Sequence, residues 1–513
     1  MYSRYLKNDV RKNRFITVAI ALFVAAASML VVLAAVLTVN LGGAIDHLME
    51  QGKTPHFLQM HSGSYNAERL DTFALENENV EAYQVLDFLN VDGARIHIGD
   101  NSLADSLQDN GFSVQSPLFD YMLDIDDRVI QPTEGELYVP VAYMKDGTAC
   151  IGDEVTVGEV KFSVAGFLRD SQMNSNLASS KRFLVNEVDF EKLVSIGRIE
   201  YLIEFRLYDM SQTGAFETAF INADIASNGP KVTFAQFRMM NALSDGLMIA
   251  VILLVSVLVV AIAFLCIRFT LLAKIEDDYR EIGVMKAIGL RVSDIKRLYL
   301  VNYPVVAVVG SLLGYGLSFL FRDVLLENIR LYMGGAENTI LAQTFGVIGL
   351  LLVFIIIILY VNHVLKRFRK ISAADAVRFG VAQEKQTAGK RSALSKNHLL
   401  GLNAVLGLKD VLSRKRLYIT MLVVLVLCVF IFLLPQNMHS TISSPGFVRY
   451  MGIGQTDILI SVQQTEDIAG KSLEIADVLE ADPDVGTYTV LKTKALSVLM
   501  PDGAQEIIRV DFG

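Results

Sequence analysis

The sequence is poor in the residues that build disulfide frameworks and metal clusters. Its 513 residues include three cysteines and no tryptophan. Two of the cysteines, Cys266 and Cys428, lie inside long apolar runs, where cysteine behaves as a small hydrophobic residue. Cys150 lies alone between two such runs, and we expect a buried structural thiol there in preference to a reactive one. This set excludes a disulfide framework and a CxxC metal site.

Charged residues are absent from five long apolar segments. The segments are residues 15–39, 246–267, 298–321, 345–361 and 417–434. About 20 apolar residues cross a hydrocarbon core about 30 Å thick, and a soluble helix of that length would carry a polar face. With 52% hydrophobic residues, the chain is predicted to cross a membrane five times. The first segment is longer than a cleaved signal and lacks a small-x-small site, so we expect a retained anchor.

The distribution of lysine and arginine predicts the orientation of these spans. Basic residues concentrate in residues 4–14, 274–297, 366–370 and 414–416, whereas residues 41–242 carry more than twice as many acidic as basic side chains. Because cytoplasmic segments are rich in Lys and Arg, the N-terminus is predicted to be cytoplasmic and residues 41–242 to be outside. We therefore expect a multi-pass membrane protein with a cytoplasmic N-terminus.

The region between the first two spans is long enough for a folded α+β domain. Alternating residues predict strands at 136–142, 154–157, 160–167 and 199–206, and helices are expected at 67–75 and 186–195. Gly147, Gly152 and Gly158 are expected at turns. The resulting boundaries are 1–14 cytoplasmic N-terminus, 15–39 first span, 40–245 outer domain, 246–272 second span, 273–297 cytoplasmic loop, 298–321 third span, 322–343 outer loop, 344–365 fourth span, 366–416 cytoplasmic linker, 417–434 fifth span and 435–513 incomplete second outer domain.

A short amphipathic helix is predicted in the loop between the second and third spans. In residues 278–295, Ile282, Met285 and Ile288 lie at helical spacing on one face. Gly289 suits the C-terminal cap, and Ser293 and Asp294 suit the start of a further turn that runs into the third span. On physical grounds alone this helix could dock on a protein or lie on lipid headgroups.

The residue types of this loop resemble the "REI-x-hydrophobic-hydrophobic-(K/R)-A-x-G" signature of FtsX-like, MacB-type ABC transporter permeases. The resemblance extends to the hairpin at residues 151–168 and to residues 371–378, where Ala373 stands in place of the usual proline. It implies an α-helical polytopic membrane protein with a MacB-like α+β extracytoplasmic domain between the first two spans. It also implies that the loop is a coupling helix for a cytoplasmic ATPase, through Arg280, Glu281, Ile282, Gly283, Met285, Lys286, Ala287 and Gly289.

Small residues mark one face of the third span. Gly310 and Gly314 are spaced so that another helix can approach closely, and Asn302 and Pro304 can bend the start of the span. Residues 9–15 before the first span are echoed by 410–417 before the fifth, and 56–60 by 457–461. We therefore expect a duplicated chain whose second copy is truncated, joined by a linker at 383–397.

No catalytic, metal or nucleotide site is predicted in this chain. The segment Gly52-Lys53-Thr54 matches the last three residues of a phosphate-binding loop motif. The first glycine of that motif is missing, because position 47 is His47. ATP and Mg²⁺ are expected to bind the partner ATPase. The basic segments are explained by membrane topology, so no nucleic-acid partner is expected. Further expected partners are membrane lipids and a second permease half or an accessory outer protein. The predicted function is a permease subunit for ATP-driven export, extraction or mechanotransmission. The alternative is a membrane-anchored receptor or scaffold that binds a ligand without ATP-driven motion.

Overall fold

The apolar segments form long helices in the computed structural model, which divides into a helical unit and a sheet unit. The helical unit comprises Met1–Asn40, Gly246–Glu327 and Asn338–Gln455, and the sheet unit comprises Leu41–Asp245, Asn328–Glu337 and Thr456–Gly513. The structure describes residues 14–104, 106, 108–175, 178–223, 225, 229–335, 339–366, 403, 407, 411–412, 415–442, 444, 458, 460, 468–499 and 505–512.

Twelve α-helices occur among the described residues. They are α1 (Arg14–Gln51), α2 (Ala67–Glu76), α3 (Val141–Lys145), α4 (Glu187–Leu193), α5 (Thr213–Asn222), α6 (Phe234–Asp277), α7 (Tyr279–Ala287), α8 (Val292–Leu300), α9 (Asn302–Met333), α10 (Thr339–Val364), α11 (Lys415–Ile442) and α12 (Ile468–Ala481). Within the described part of the chain, five stretches are long and apolar enough to cross a membrane, namely Thr17–Gln51, Phe234–Asp277, Val292–Met333, Ile340–Val364 and Tyr418–Thr441. The chain is thus a polytopic helical membrane protein.

Helix α1 packs closely against α9 and α10 within the helical unit. A Cβ atom added at Gly314 of α9 would lie 2.3 Å from the Ala25 carbonyl oxygen, and one at Gly310 would lie 2.9 Å from that of Ala21. Gly346 and Gly349 of α10 approach valine side chains of α1 in the same way. The small residues therefore let the helix backbones come together, where van der Waals contact is the main attraction between helices in lipid.

One mixed sheet of twelve strands dominates the described residues of the sheet unit. The strands are β1 (Phe57–Ser62), β2 (Val80–Val91), β3 (Ile96–Ile98), β4 (Asn101–Ser102), β5 (Asp109–Ser113), β6 (Leu123–Asp124), β7 (Glu136–Pro140), β8 (Glu154–Val157), β9 (Val160–Arg169), β10 (Ser180–Leu184), β11 (Arg198–Leu207) and β12 (Lys231–Thr233). Their order in the sheet is β12–β1–β11–β2–β5–β10–β7–β9–β8–β3–β4, with β6 beside β9. The pairs β5–β10 and β7–β9 are parallel and the others are antiparallel.

The predicted hairpin forms, whereas two other expectations for this region were wrong. β8 and β9 pair around Gly158, whose φ of +59° suits the first position of a two-residue hairpin turn. The strand predicted at 136–142 ends at Pro140, because proline has no N–H for the ladder and α3 begins directly after it. Cys150 is exposed, not buried.

The last described elements are α12 and an antiparallel hairpin of β13 (Lys492–Leu499) and β14 (Gln505–Phe512). Residues 371–378 and 383–397 lie outside the described residues. So do most of residues 9–15 and parts of 410–417 and 457–461, on which the predicted repeat rests. The duplication and the truncation stay predictions.

Candidate functional site

The loop between α6 and α8 is fixed to the helical unit by one fully buried side chain. Ile282 on α7 is 0% exposed and packs in a cluster with Ile275 of α6 and Ile295 of α8. Gly283 beside it is also buried, and Met285 packs against the same cluster. Isoleucine is stiff at χ1, so this contact fixes how α7 is rotated about its axis.

Gly289 ends α7 with a tight cap. Its φ is +94°, in the left-handed region that glycine adopts without strain. The Gly289 N–H donates to the Lys286 carbonyl and the Leu290 N–H to the Met285 carbonyl, both at 3.1 Å. This pair of bonds is a Schellman cap. The chain therefore reverses sharply at Gly289 and presents the residues around it at the tip of the loop.

The tip of this loop is apolar and exposed, which the sequence prediction partly missed. Ile288 was expected on the buried face with Ile282, but it is 73% exposed because the cap turns the chain after Ala287. Val284 and Leu290 are also exposed. We call Val284, Ile288 and Leu290 the apolar tip. Single exposed hydrophobic residues are common, but three around one capped turn form a small surface suited to a protein partner.

The charged residues that the signature selects surround this tip. Arg280, Glu281 and Ala287 are exposed, and Lys286 is partly buried. Burial lowers the pKa of the Lys286 ammonium, because desolvation disfavours its charged form. The structure thus brings the eight signature residues onto one helix and its cap, with Ile282 and Gly283 buried and Arg280 and Glu281 exposed.

The loop is tied to the helix that continues into α9. The Tyr299 hydroxyl on α8 donates to an Asp278 carboxylate oxygen at 2.7 Å, and the Lys274 ammonium lies 5.5 Å from the centre of the Tyr299 ring. α8 begins at Val292 after Arg291, so Ser293 and Asp294 lie in its first turn and not at its cap as predicted. Only Val301 separates α8 from α9, and it keeps helical backbone angles.

Pro304 explains this short interruption. Without an N–H, Pro304 cannot bond the carbonyl four residues earlier, at Leu300, where α8 ends. Farther along α9, Gly310 and Gly314 contact α1, and the Ser28 and Ser311 hydroxyls lie 3.3 Å apart between them. α9 therefore carries both the connection to the loop and the closest helix contact that the sequence predicted.

Part of the chain matches a known family. Residues 253–367, which include the loop, α9 and α10, match the family model described as FtsX-like permease C-terminal. These residues form an FtsX-like permease domain. The recognition of this family from the loop residues is thus confirmed, and so is the expected fold class of membrane helices with an α+β domain.

Three curated proteins are similar to part of this chain. A probable export ATP-binding/permease protein of Pseudomonas fluorescens is 26% identical over 186 residues. The macrolide export ATP-binding/permease proteins MacB of Acinetobacter baylyi and Psychrobacter arcticus are 24% and 25% identical. Each match covers 34% of this chain and 27% of the relative, so the chain spans about a quarter of the length of these proteins.

The sheet unit holds a buried ionic cluster that the sequence analysis missed. Arg182 of β10 is fully buried and bonds Asp120 and Asp170, with closest N–O distances of 2.6 Å to each. The two carboxylates raise the pKa of Arg182 well above its ordinary value, although burial alone would lower it. The neighbouring Lys181 ammonium donates three hydrogen bonds of 2.8–3.1 Å, to the carbonyls of Met173, Asn174 and Ser175.

A fully buried carboxyl group completes this cluster. Glu204 of β11 lies 2.8 Å from the Gln84 amide and 2.6 Å from the Gln172 amide. Burial and the nearby Asp120 raise its pKa well above the ordinary value. The only sequence signal was two adjacent basic residues, Lys181 and Arg182, inside a short β-like run. Their acidic partners are far apart in sequence, so pairing could not be predicted from spacing. The cluster joins β10 to Asp120 and Asp170, and β11 to β2 through Glu204 and Gln84.

Proposed function

We propose that this chain is the transmembrane permease subunit of an ATP-driven ABC transporter, and that a separate cytoplasmic ATPase docks on the apolar tip. Similarity to two export ATP-binding/permease proteins supports this proposal, since their names combine ATP binding with permease function. ATP and Mg²⁺ are assigned to the partner chain. The proposed location is a bacterial cell membrane with a cytoplasmic N-terminus, which the positive charge of residues 4–14 supports.

The apolar tip carries this proposal. Val284, Ile288 and Leu290 are exposed while Ile282 on the same helix is buried, so α7 is fixed on one side and free on the other. A partner that binds the apolar tip would move α7 as a rigid body, and the Tyr299–Asp278 hydrogen bond would pass that movement to α8. A helix lying on lipid headgroups would need no such anchor and no near-continuous path into α9.

The work is proposed to take place at the outer face, on amphipathic or peptide-like cargo. None of the five predicted spans contains a charged residue, and a path for ions or polar solutes through a bilayer requires polar or charged groups. The sheet unit offers a folded domain on which ATP-driven movement can act. Export, extraction and mechanotransmission are all compatible with this arrangement.

The decisive experiment is crosslinking from the apolar tip in native membranes. Ile288→Cys is introduced into a chain whose Cys150, Cys266 and Cys428 are replaced by Ser, and it is crosslinked to candidate ATPases with and without ATP. We expect one ATPase to be captured, with a yield that changes on ATP addition. A correctly inserted chain that captures no ATPase would favour the receptor or scaffold alternative.

A matched pair of charge substitutions tests the surface itself. Ile288→Glu places a carboxylate in the apolar tip and is expected to weaken copurification of the ATPase at least about tenfold, since desolvating a charge in an interface is costly. Ser293→Glu adds the same carboxylate at an exposed position of α8 outside the tip and is expected to leave copurification unchanged. Equal loss in both variants would show that charge, and not the tip, matters.

A further inference from the structure

The end of α9 lies among polar side chains of the sheet unit, to which residues 328–337 belong. Arg169, the last residue of β9, is 4% exposed. Its Nε donates to the Leu331 carbonyl and its Nη2 to the Arg330 carbonyl, each at 2.9 Å. The last carbonyls of a helix have no partner inside the helix. Here a guanidinium group from a strand donates to two of these carbonyls at once, and the Arg330 carbonyl also accepts from the Gly334 N–H at 3.0 Å.

Two further side chains bond the same short segment. Asn174 donates to the Tyr332 carbonyl, the next one along the helix. Lys145 of α3 donates to the Asn328 side chain, and its ammonium lies 5.2 Å from the centre of the Tyr332 ring. Three consecutive carbonyls and one side chain at the end of α9 are therefore held from β9, from the segment after β9 and from α3.

Arg169 is itself fixed on its other side. Its Nη1 donates to Asp127 at 2.6 Å, and the other Asp127 oxygen lies 3.5 Å from His47 Nε2. Burial lowers the pKa of Arg169, while the Asp127 carboxylate opposes that decrease. Arginine keeps its charge in proteins, and a cation suits the negative end of a helix dipole.

Gly334 allows this close arrangement. Its φ is +85°, and an added Cβ atom would lie 2.6 Å from an Asp127 carboxylate oxygen. The turn after α9 can therefore pass directly over the Asp127–Arg169 pair only with glycine at this position.

We propose that Arg169 latches the end of α9 to the sheet and passes movement of α9 to the outer domain. This inference rests on the proposed function, in which α9 receives movement from the apolar tip through α8. Bonds from a planar guanidinium group to two backbone carbonyls fix direction as well as distance, unlike apolar packing, which allows sliding. β9 pairs with β6, β7 and β8, so displacement at Arg169 is distributed through the ladder of the sheet.

The latch contact is tested by hydrogen exchange in the full-length chain in lipid nanodiscs, without any ATPase. Arg169→Gln is expected to speed exchange of amides in residues 328–335 by about tenfold, the effect of losing about one net hydrogen bond. Lys145→Gln removes a contact of an exposed side chain, so the domain stays folded, and it is expected to give a smaller increase there. Unchanged exchange of residues 328–335 in both variants would overturn the latch.

Arg206→Gln is the matched control. Arg206 lies on β11 and also bonds a carboxylate, Glu81, and a backbone carbonyl, that of Thr54, but it does not contact residues 328–335 through any bond that the structure describes. It should leave exchange of that segment unchanged. Faster exchange of the segment in Arg206→Gln as well would mean general loosening of the sheet and would also count against the latch.

The transmission role needs a second readout. A fluorescent probe on exposed Cys150, with Cys266→Ser and Cys428→Ser, reports on the sheet unit when ATP is added to the chain copurified with its ATPase. In Arg169→Gln the ATP-dependent signal should fall several-fold while ATP hydrolysis continues. If Arg169→Gln speeds hydrogen exchange in residues 328–335 but keeps the ATP-dependent fluorescence signal, then Arg169 has only a structural role. If no ATPase copurifies with the parent chain, the proposed function and the transmission role fail together, while hydrogen exchange still decides the contact.

Discussion

Glu204 shows at the scale of one residue how burial sets charge in the sheet unit. Arg182 and Lys181 are basic and Asp120 and Asp170 are acidic, so the formal charges of these four buried side chains cancel without Glu204. An ionised Glu204 would add an uncompensated charge in a site of low dielectric. Burial and Asp120 accordingly raise its pKa, and the opposing effects of Arg182, Gln84 and Gln172 do not cancel that increase.

This raised pKa predicts a loss of stability as pH rises. Between the ordinary value of 4.5 and the raised pKa, the folded state holds the Glu204 proton and the unfolded state does not. The contribution of Glu204 to the free energy of unfolding is therefore fully present below the ordinary pKa. Within that pH window the free energy of unfolding falls by about 1.4 kcal/mol per pH unit. Glu204→Gln imitates the neutral carboxyl group and should remove this part of the pH dependence. The measurement is urea unfolding of the full-length chain, followed by circular dichroism at pH 5 to 8.

The control for this prediction is an exposed carboxylate of the same sheet. Glu81, whose side chain is 44% exposed, pairs with Arg206, and Glu81→Gln removes a carboxyl group of the same sheet without touching the buried cluster. The idea would be wrong if Glu204→Gln retained the same pH dependence as Glu81→Gln.

At the scale of the elements, the contact between α1 and α9 depends on which glycine faces the neighbouring helix. A Cβ atom at Gly314 would lie 2.3 Å from the Ala25 carbonyl oxygen and 2.9 Å from the Ser28 Cβ, whereas one at Gly316 would meet nothing within 4 Å. Gly314→Val should force the helices apart and Gly316→Val should not. The two variants add the same side chain to the same helix, so helix propensity is matched between them.

A disulfide between α1 and α9 measures this separation. The Ser28 and Ser311 hydroxyls lie 3.3 Å apart in the contact. With the native cysteines replaced by Ser, Ser28→Cys and Ser311→Cys should crosslink readily in the parent chain and in the Gly316→Val background. In the Gly314→Val background the yield should fall several-fold. Equal yields in the two valine backgrounds would contradict the close packing.

The elements that the sequence predicted well are those governed by local physics. Five uncharged apolar segments predicted helices, and alternation around Gly158 predicted the β8–β9 hairpin. Ile288 was misplaced because helical spacing says nothing about where a cap ends the helix. The parallel pairs β5–β10 and β7–β9, the Arg182 cluster and the Arg169 contacts join residues far apart in sequence. Such pairs carry no local pattern and could not be predicted.

At the scale of the whole molecule, resemblance to a known family predicted a role for the loop that hydrophobic spacing alone could not predict. Amphipathic spacing predicted a helix in the loop after α6, but it did not distinguish a lipid-bound helix from a docking helix. The residue types of the signature favour a docking helix, and residues 253–367 match the FtsX-like permease C-terminal family model. The role of the signature residues in docking, the boundaries of the domains and the nature of the cargo stay predictions, because they depend on partners outside this chain.

Charge asymmetry leads to the prediction on which the whole arrangement depends. The sheet unit holds one exposed cysteine among its described residues, Cys150, and α8 exposes Ser293. A charged, membrane-impermeant maleimide should label Cys150 in intact spheroplasts, and Cys150→Ser should abolish that labelling, because Cys266 and Cys428 lie in apolar helices that such a reagent does not enter.

Ser293→Cys in the Cys150→Ser background should react only after the membrane is permeabilised. Labelling in the reverse order would place the basic loop outside, where a cytoplasmic ATPase cannot reach the apolar tip. Both the docking proposal and the route through α9 to Arg169 would then fail, although the helices and the sheet themselves would be unaffected. Orientation is thus the property of the whole chain that gives the loop and the latch their proposed roles.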